Sequence, residues 1–90
     1  MKKYYAGHTT KRTLEGISTE KAFCFEYDLN GFGKCKPLWI PKSICKISEE
    51  NEVGNIIVFI PQWFFIKNRL EYMRVRGLCW LNGKDFVVEM

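Results

Sequence analysis

The chain has 90 residues, 47% of them hydrophobic, 27% charged and 16% aromatic, with a formal net charge of +4 at neutral pH. That balance excludes the disordered class, which lacks the apolar content to offset chain entropy, and a chain this long buries roughly 60–68% of its unfolded surface in a single small core. No run approaches the ~18–20 apolar residues of a membrane span, and the mild positive charge permits an anionic partner without demanding one.

The opening "MKKYYAGHTTKRTLEG" has no apolar stretch that would serve as a secretory signal. Residues 1–20 read as a polar N-terminal segment, with "RTLEGI" as one short strand. In "KAFCFEYDL" (Lys21 to Leu29), Phe23, Phe25, Tyr27 and Leu29 alternate with Ala22, Cys24, Glu26 and Asp28. This is the period of two that marks a half-buried strand. "NGFG" at 30–33 supplies turn residues that tolerate positive φ, and a return strand over Lys34 to Ile40 completes a hairpin. Pro37 within it cannot donate to a ladder, which points to an edge or a bulge.

That strand stops in "PLWIPKSIC". Pro41 ends the pairing and keeps the preceding residue extended, so Trp39 is expected in the core and Lys42-Ser43 at a turn. "SICKIS" follows as a strand, "EENEVGN" as a loop, and "IIVFI" as a strand placed centrally or buried on both faces. Pro61 suits the first position of a helix. The helix predicted over 61–73 has Trp63, Ile66, Leu70 and Met73 on one stripe with Phe64 alongside, so that Trp63 shares a core with Trp39. The end, "GLCWLNGKDFVVEM", reads as a hairpin over 77–90 around Asn82-Gly83. The expectation is one domain spanning 1–90, with a sheet core over 21–60. Its class is α+β, mainly β: a small twisted antiparallel sheet or partly open barrel, SH3-like or OB-like, with one short helix.

The combination of "KAFCFEY", "LWIPKS" and "IPQWFF" resembles a type of small, poorly characterised protein from bacteria and phages, over about residues 21–70. The resemblance implies a β-rich domain of mobile-element origin. It carries no active site, so it implies no catalytic residue.

Chemistry has few anchors in this chain. The single histidine, His8, stands in the polar segment, and the four cysteines (Cys24, Cys35, Cys45, Cys79) form no C-x-x-C pair. The cysteines are expected to be reduced, unliganded and mostly buried, as small hydrophobes. "GFGK" lacks the spacing of a phosphate loop, and Glu49, Glu50 and Glu52 lack that of a calcium site. The expectation is therefore a non-enzyme without metal or cofactor, working in the host cytosol and away from membranes. Its function is read as partner binding: a phage or mobile-element inhibitor of a host nucleoprotein defence machine, anti-CRISPR-like in size and economy. The alternative is a small nucleic-acid-binding domain that sets lysines on phosphates and stacks exposed aromatics on bases. The expected contact residues are Lys34, Lys36, Lys42 and Lys46 in an acid-free segment, and Lys67, Arg69, Arg74 and Arg76 toward the end of the helix and beyond it.

Overall fold

A computed structural model describes residues 2–16, 18–28, 35–81, 83–84 and 87–90. The chain is mainly β, with two antiparallel sheets and two short helices, and the sheets do not close into a barrel. The first sheet has β1 (Lys3–Thr10) at its centre. β5 (Asn55–Pro61) pairs along one side of β1, and the two-residue β4 (Lys46–Ile47) pairs outside β5. On the other side of β1 run β7 (Cys79–Trp80) and β8 (Val88–Glu89). The second sheet places β2 (Ala22–Asp28) between β3 (Lys36–Pro41) and β6 (Arg74–Arg76).

The N-terminal segment is therefore not a polar appendage. Tyr4, Tyr5, Ala6, Gly7 and Thr9 are all buried because β1 has a strand on each side. "RTLEGI" is not a strand either: Lys11–Gly16 forms helix α1. The Thr10 hydroxyl accepts the Thr13 amide at 3.1 Å and so caps that helix, and Leu14 seats it on the core. The Ser18 hydroxyl donates to the Leu14 carbonyl as the chain leaves the helix, and it accepts the Cys24 amide of β2 at 3.4 Å.

In the β2–β3 hairpin the strands pair as expected with Phe23 and Phe25 inward, but β2 is not half-buried, since Cys24 and Asp28 on its other face are buried too. Phe23 faces Ile40 and Phe25 faces Leu38 on the inner side, and Pro37 sits on an edge strand. Its expected turn at 30–33 lies outside the described residues. Both "IP" stops resolve the same way. Pro41 (φ −58°, ψ 129°) and Pro61 (φ −54°, ψ 140°) each close a strand and stand as the N-cap of a helical turn. A fixed φ near −65° suits the end of the strand equally well. After Pro41 comes a 3-10 turn at Lys42–Ile44, so only Lys46–Ile47 of "SICKIS" is strand.

After Pro61 comes α2, which covers only Gln62–Lys67 rather than 61–73. Arg69 takes the left-handed conformation (φ 54°, ψ 41°), which breaks the helix before a 3-10 turn at Leu70–Tyr72. Within α2 the buried residues are Phe64, expected alongside the stripe, and Phe65; beyond α2, Leu70 is buried and Met73 packs against the core as expected. Trp63 and Ile66 face outward, 57% and 52% exposed. Trp39 is also outside the core, at 48% exposure, because it shares its face of the second sheet with Cys24, directly opposite on β2, and not with Phe23 or Phe25. Among the described residues β7 and β8 do not pair with each other. Both strands pair with β1, at opposite ends, and Asn82, the expected turn residue, lies outside the described residues.

The core joins the inner faces of both sheets. Ile56, Val58 and Ile60 of β5 meet Phe23, Phe25, Leu38 and Ile40 of the second sheet, with Phe64, Phe65 and Leu70 closing one end. Tyr5 stacks on Phe65 with ring centroids 3.7 Å apart and planes 12° from parallel, and Trp80 meets Phe65 edge-on at 5.2 Å. The chain crosses between sheets at Gly77-Leu78. Gly77 has φ +80°, and a Cβ there would sit 2.6 Å from the Thr13 Cγ2. Leu78 then lies on Gly7, whose Cβ would stand 2.8 Å from the Leu78 Cδ1, so a strand interior position that normally disfavours glycine requires one here.

Phe65→Ala, which removes a fully buried ring stacked on Tyr5, is expected to lower stability by about 3–5 kcal/mol in urea unfolding. A loss below about 1 kcal/mol would show that the aromatic cluster is not a structural centre.

Candidate functional site

The end of the first sheet carries a groove of about 610 Å3. Three pieces of chain build it: Lys2, Lys3 and Tyr4 at the start of β1, Ser43 to Lys46 around β4, and Pro61 to Trp63 where β5 passes into α2. Sheet register brings them together, since Tyr4 pairs with Pro61 and Lys46 with Phe59. Lys2 is fixed by a two-way backbone pairing with Met90, at 3.1 and 2.9 Å.

The lysines are held but not neutralised. The Lys46 ammonium lies 5.4 Å from the centroid of the Tyr4 ring, and that of Lys42, next along the chain from Ser43, lies 5.1 Å from the Phe23 ring. Cation–π contacts of this kind orient an ammonium without cancelling its charge. Lys3 meets Glu89 at 3.9 Å with both side chains half exposed, a pair that contributes little in water. Trp63 stands at the groove edge-on to Phe64, with centroids 5.8 Å apart. The groove thus offers a large, half-anchored indole beside three ammonium groups drawn from two separate segments.

The expected contact residues do not gather in one place. Lys46 lines the groove and Lys42 borders it. Lys36 is on β3, and Lys67 and Arg69 mark the end of α2. Arg74 and Arg76 belong to β6 in the second sheet, in register with Asp28 and Glu26. Lys34 lies outside the described residues. Lys2, Lys3, Tyr4 and Trp63 were not expected at a binding site. The strand formers in "YYA" and "HTT" are the one local signal in the sequence that agrees with β1.

The cysteines are only partly in the core. Cys24 is buried, Cys35 and Cys45 are intermediate, and Cys79 is exposed. A strand buries a cysteine on one face only when something covers that face. α1 packs over β2 at Cys24, and β7 leaves Cys79 open. Cys45 lines the groove, and burial pushes its thiol up to about 12. It is therefore protonated at neutral pH and a poor nucleophile. His8 stands opposite Cys79 in the β1–β7 register, with no hydrogen bond between them among the described residues. The acidic loop is structural: the Asn51 carboxamide oxygen accepts the amides of Val53 and Asn55 at 3.1 and 2.8 Å, and its glutamates face water. Among the described residues there is no cluster of three or more potential metal ligands, and no helix is long and apolar enough to cross a membrane.

Comparison with protein-family models, with curated proteins and with solved structures found no match for this chain.

Two measurements check the placement of these groups. Trp39→Ala and Trp63→Ala are each expected to change stability by less than about 1 kcal/mol, as exposed positions do; a loss of about 3 kcal/mol in either would return that indole to the core. In timed alkylation at neutral pH, read by peptide mass spectrometry, Cys79 is expected to react first. Cys24 is expected to react only after denaturation and Cys45 more slowly than Cys79, and labelling of Cys45 as fast as Cys79 would contradict the partly buried, protonated thiol.

Proposed function

We propose that this chain is a non-catalytic binding protein that docks a partner protein on the groove between the start of β1, β4 and α2. The observation that carries the reading is Trp63, 57% exposed beside Lys2, Lys3 and Lys46. A domain with a small core has every reason to bury an indole, and tryptophan is among the residues that dominate binding hot spots. Further exposed apolar side chains, Ile66 on α2 and Ile47 on β4, extend the surface from both sides of the groove. The complementary partner surface is apolar at its centre and acidic at its rim.

The resemblance of residues 21–70 to small phage and bacterial proteins suggests the setting. There the chain would act in the host cytosol as an inhibitor that occupies a working surface of a nucleoprotein defence machine, in the anti-CRISPR manner. Among the residues first expected to make contact, Lys42 and Lys46 belong to this surface.

The test is a binding titration against a purified candidate machine, with and without nuclease and at two salt concentrations. A nuclease-resistant complex is expected, weakened roughly tenfold or more by Trp63→Ala and by Lys46→Glu. Loss of the complex on nuclease treatment, with affinity falling steeply as salt rises, would replace this reading with direct nucleic-acid binding. Unaltered affinity in both variants would remove the groove from the interface.

A further inference from the structure

A second cavity, of about 530 Å3, opens at the far end of β2, and its lining includes Asp28, Tyr72, Arg74, Leu78, Trp80 and Lys84. It shares no residue with the groove of the proposed docking surface. Asp28 is the last residue of β2 and only 4% exposed, and its Oδ1 has no hydrogen-bond partner among the described residues. A buried carboxylate oxygen without a donor is costly, and such groups in folded proteins are nearly always satisfied. Arg74 faces Asp28 across the β2–β6 ladder, yet no ion pair joins the two.

The other cation is held in place. The Lys84 ammonium donates to the carbonyls of Glu71 and Met73 at 2.8 and 2.7 Å, and an ammonium has three donors, so one remains. Partial burial holds the Lys84 pKa below its ordinary value, and nearby Glu71 opposes that shift. The rest of the lining is apolar or aromatic: Val75, Leu78 and Trp80 are buried or half-buried, and Tyr72 stands 71% exposed at the rim.

These groups select a ligand by charge. A simple cation satisfies Asp28 but meets Arg74 and Lys84. A simple anion satisfies those two and meets a buried carboxylate. A molecule with an ammonium and a carboxylate close together, carried on an apolar body, satisfies all three and covers the apolar wall. We propose that this cavity binds an apolar α-amino acid, its ammonium donating to Asp28, its carboxylate accepting from Arg74 and Lys84, and its side chain lying against Leu78 and Trp80. The cavity volume falls within the roughly 300–1,000 Å3 usual for small-ligand sites.

The test is isothermal titration calorimetry of the full chain with L-leucine, L-phenylalanine and L-tryptophan, each beside its N-acetyl form and its amide. At least one free amino acid is expected to give a saturable single-site isotherm. Affinity is expected to fall roughly tenfold or more on either capping and in Asp28→Asn, as for a lost charge-assisted hydrogen bond. Absence of binding by all three at millimolar concentration overturns the proposal, as does binding that N-acetylation or Asp28→Asn leaves unchanged. If Asp28→Asn does not fold, the capped ligands on the unaltered chain decide alone. Loss of thermal stability in both Asp28→Asn and Arg74→Gln, with no ligand heat, would mark a cross-strand ion pair and overturn the site as well.

Discussion

Tyr5 stacked on Phe65, with Trp80 edge-on to both rings, ties β1, α2 and β7 into one cluster. The three residues come from separate parts of the chain, so their packing closes long loops, exceeded in span by the pairing of β8 with the start of β1. β1 carries that load because it has paired strands on both sides. A central strand keeps its backbone donors and acceptors bonded and leaves both faces free to bury side chains. The glycine at position 7 belongs to the same constraint, since its bare Cα is what allows Leu78 and Trp80 to approach the strand. With β1 in place, β5 has a template, α2 has an aromatic floor, and the crossing at Gly77 can return the chain from the second sheet to the first.

The same constraint creates the outer surface. Once Phe64 and Phe65 are committed to the core, a helix of six residues has no further inward position, and Trp63 and Ile66 must face water. Once Phe23 and Phe25 of β2 face inward, the pairing of Trp39 with Cys24 directs the indole to the opposite side. In each case the exposed tryptophan is the neighbour in sequence of a buried hydrophobic residue. An aromatic-rich chain with a small core thus presents its surplus aromatics outside, and the lysines of β1 and β4 end up beside one of them. The binding face and the core are two consequences of one phase assignment.

The two prolines that end strands at Pro41 and Pro61 set the shape of that face. Each forces a change from extended chain to helical turn within one residue, and both turns lie at the same end of the first sheet, against Ile44 and Trp63. The groove is the space between these two turns, floored by Tyr4. The second cavity has a different origin. It lies where β2 ends at Asp28, Arg74 begins β6, and the Lys84 ammonium reaches back to the carbonyls after α2.

The sequence by itself determined what depends on near neighbours. The alternation from Ala22 to Asp28 gave a strand with Phe23 and Phe25 inward, Pro37 gave an edge, and composition gave a mainly β class. Pro41 and Pro61 marked where strands stop. Tertiary structure alone decided what depends on distant partners. "KYYAGHTT" reads as polar at both ends, and most of its residues are buried only because β5 and the C-terminal strands flank it. The phase of α2 was ambiguous between two apolar stripes of similar strength, and stacking on Tyr5 selected Phe64 and Phe65 over Trp63 and Ile66. Arg69 in the left-handed region ended the helix where no glycine or proline announces an end. Of the expected contact residues only Lys46 lines the candidate groove. Its other residues come from three separate pieces of chain, and only the register of β4, β5 and β1 makes them neighbours.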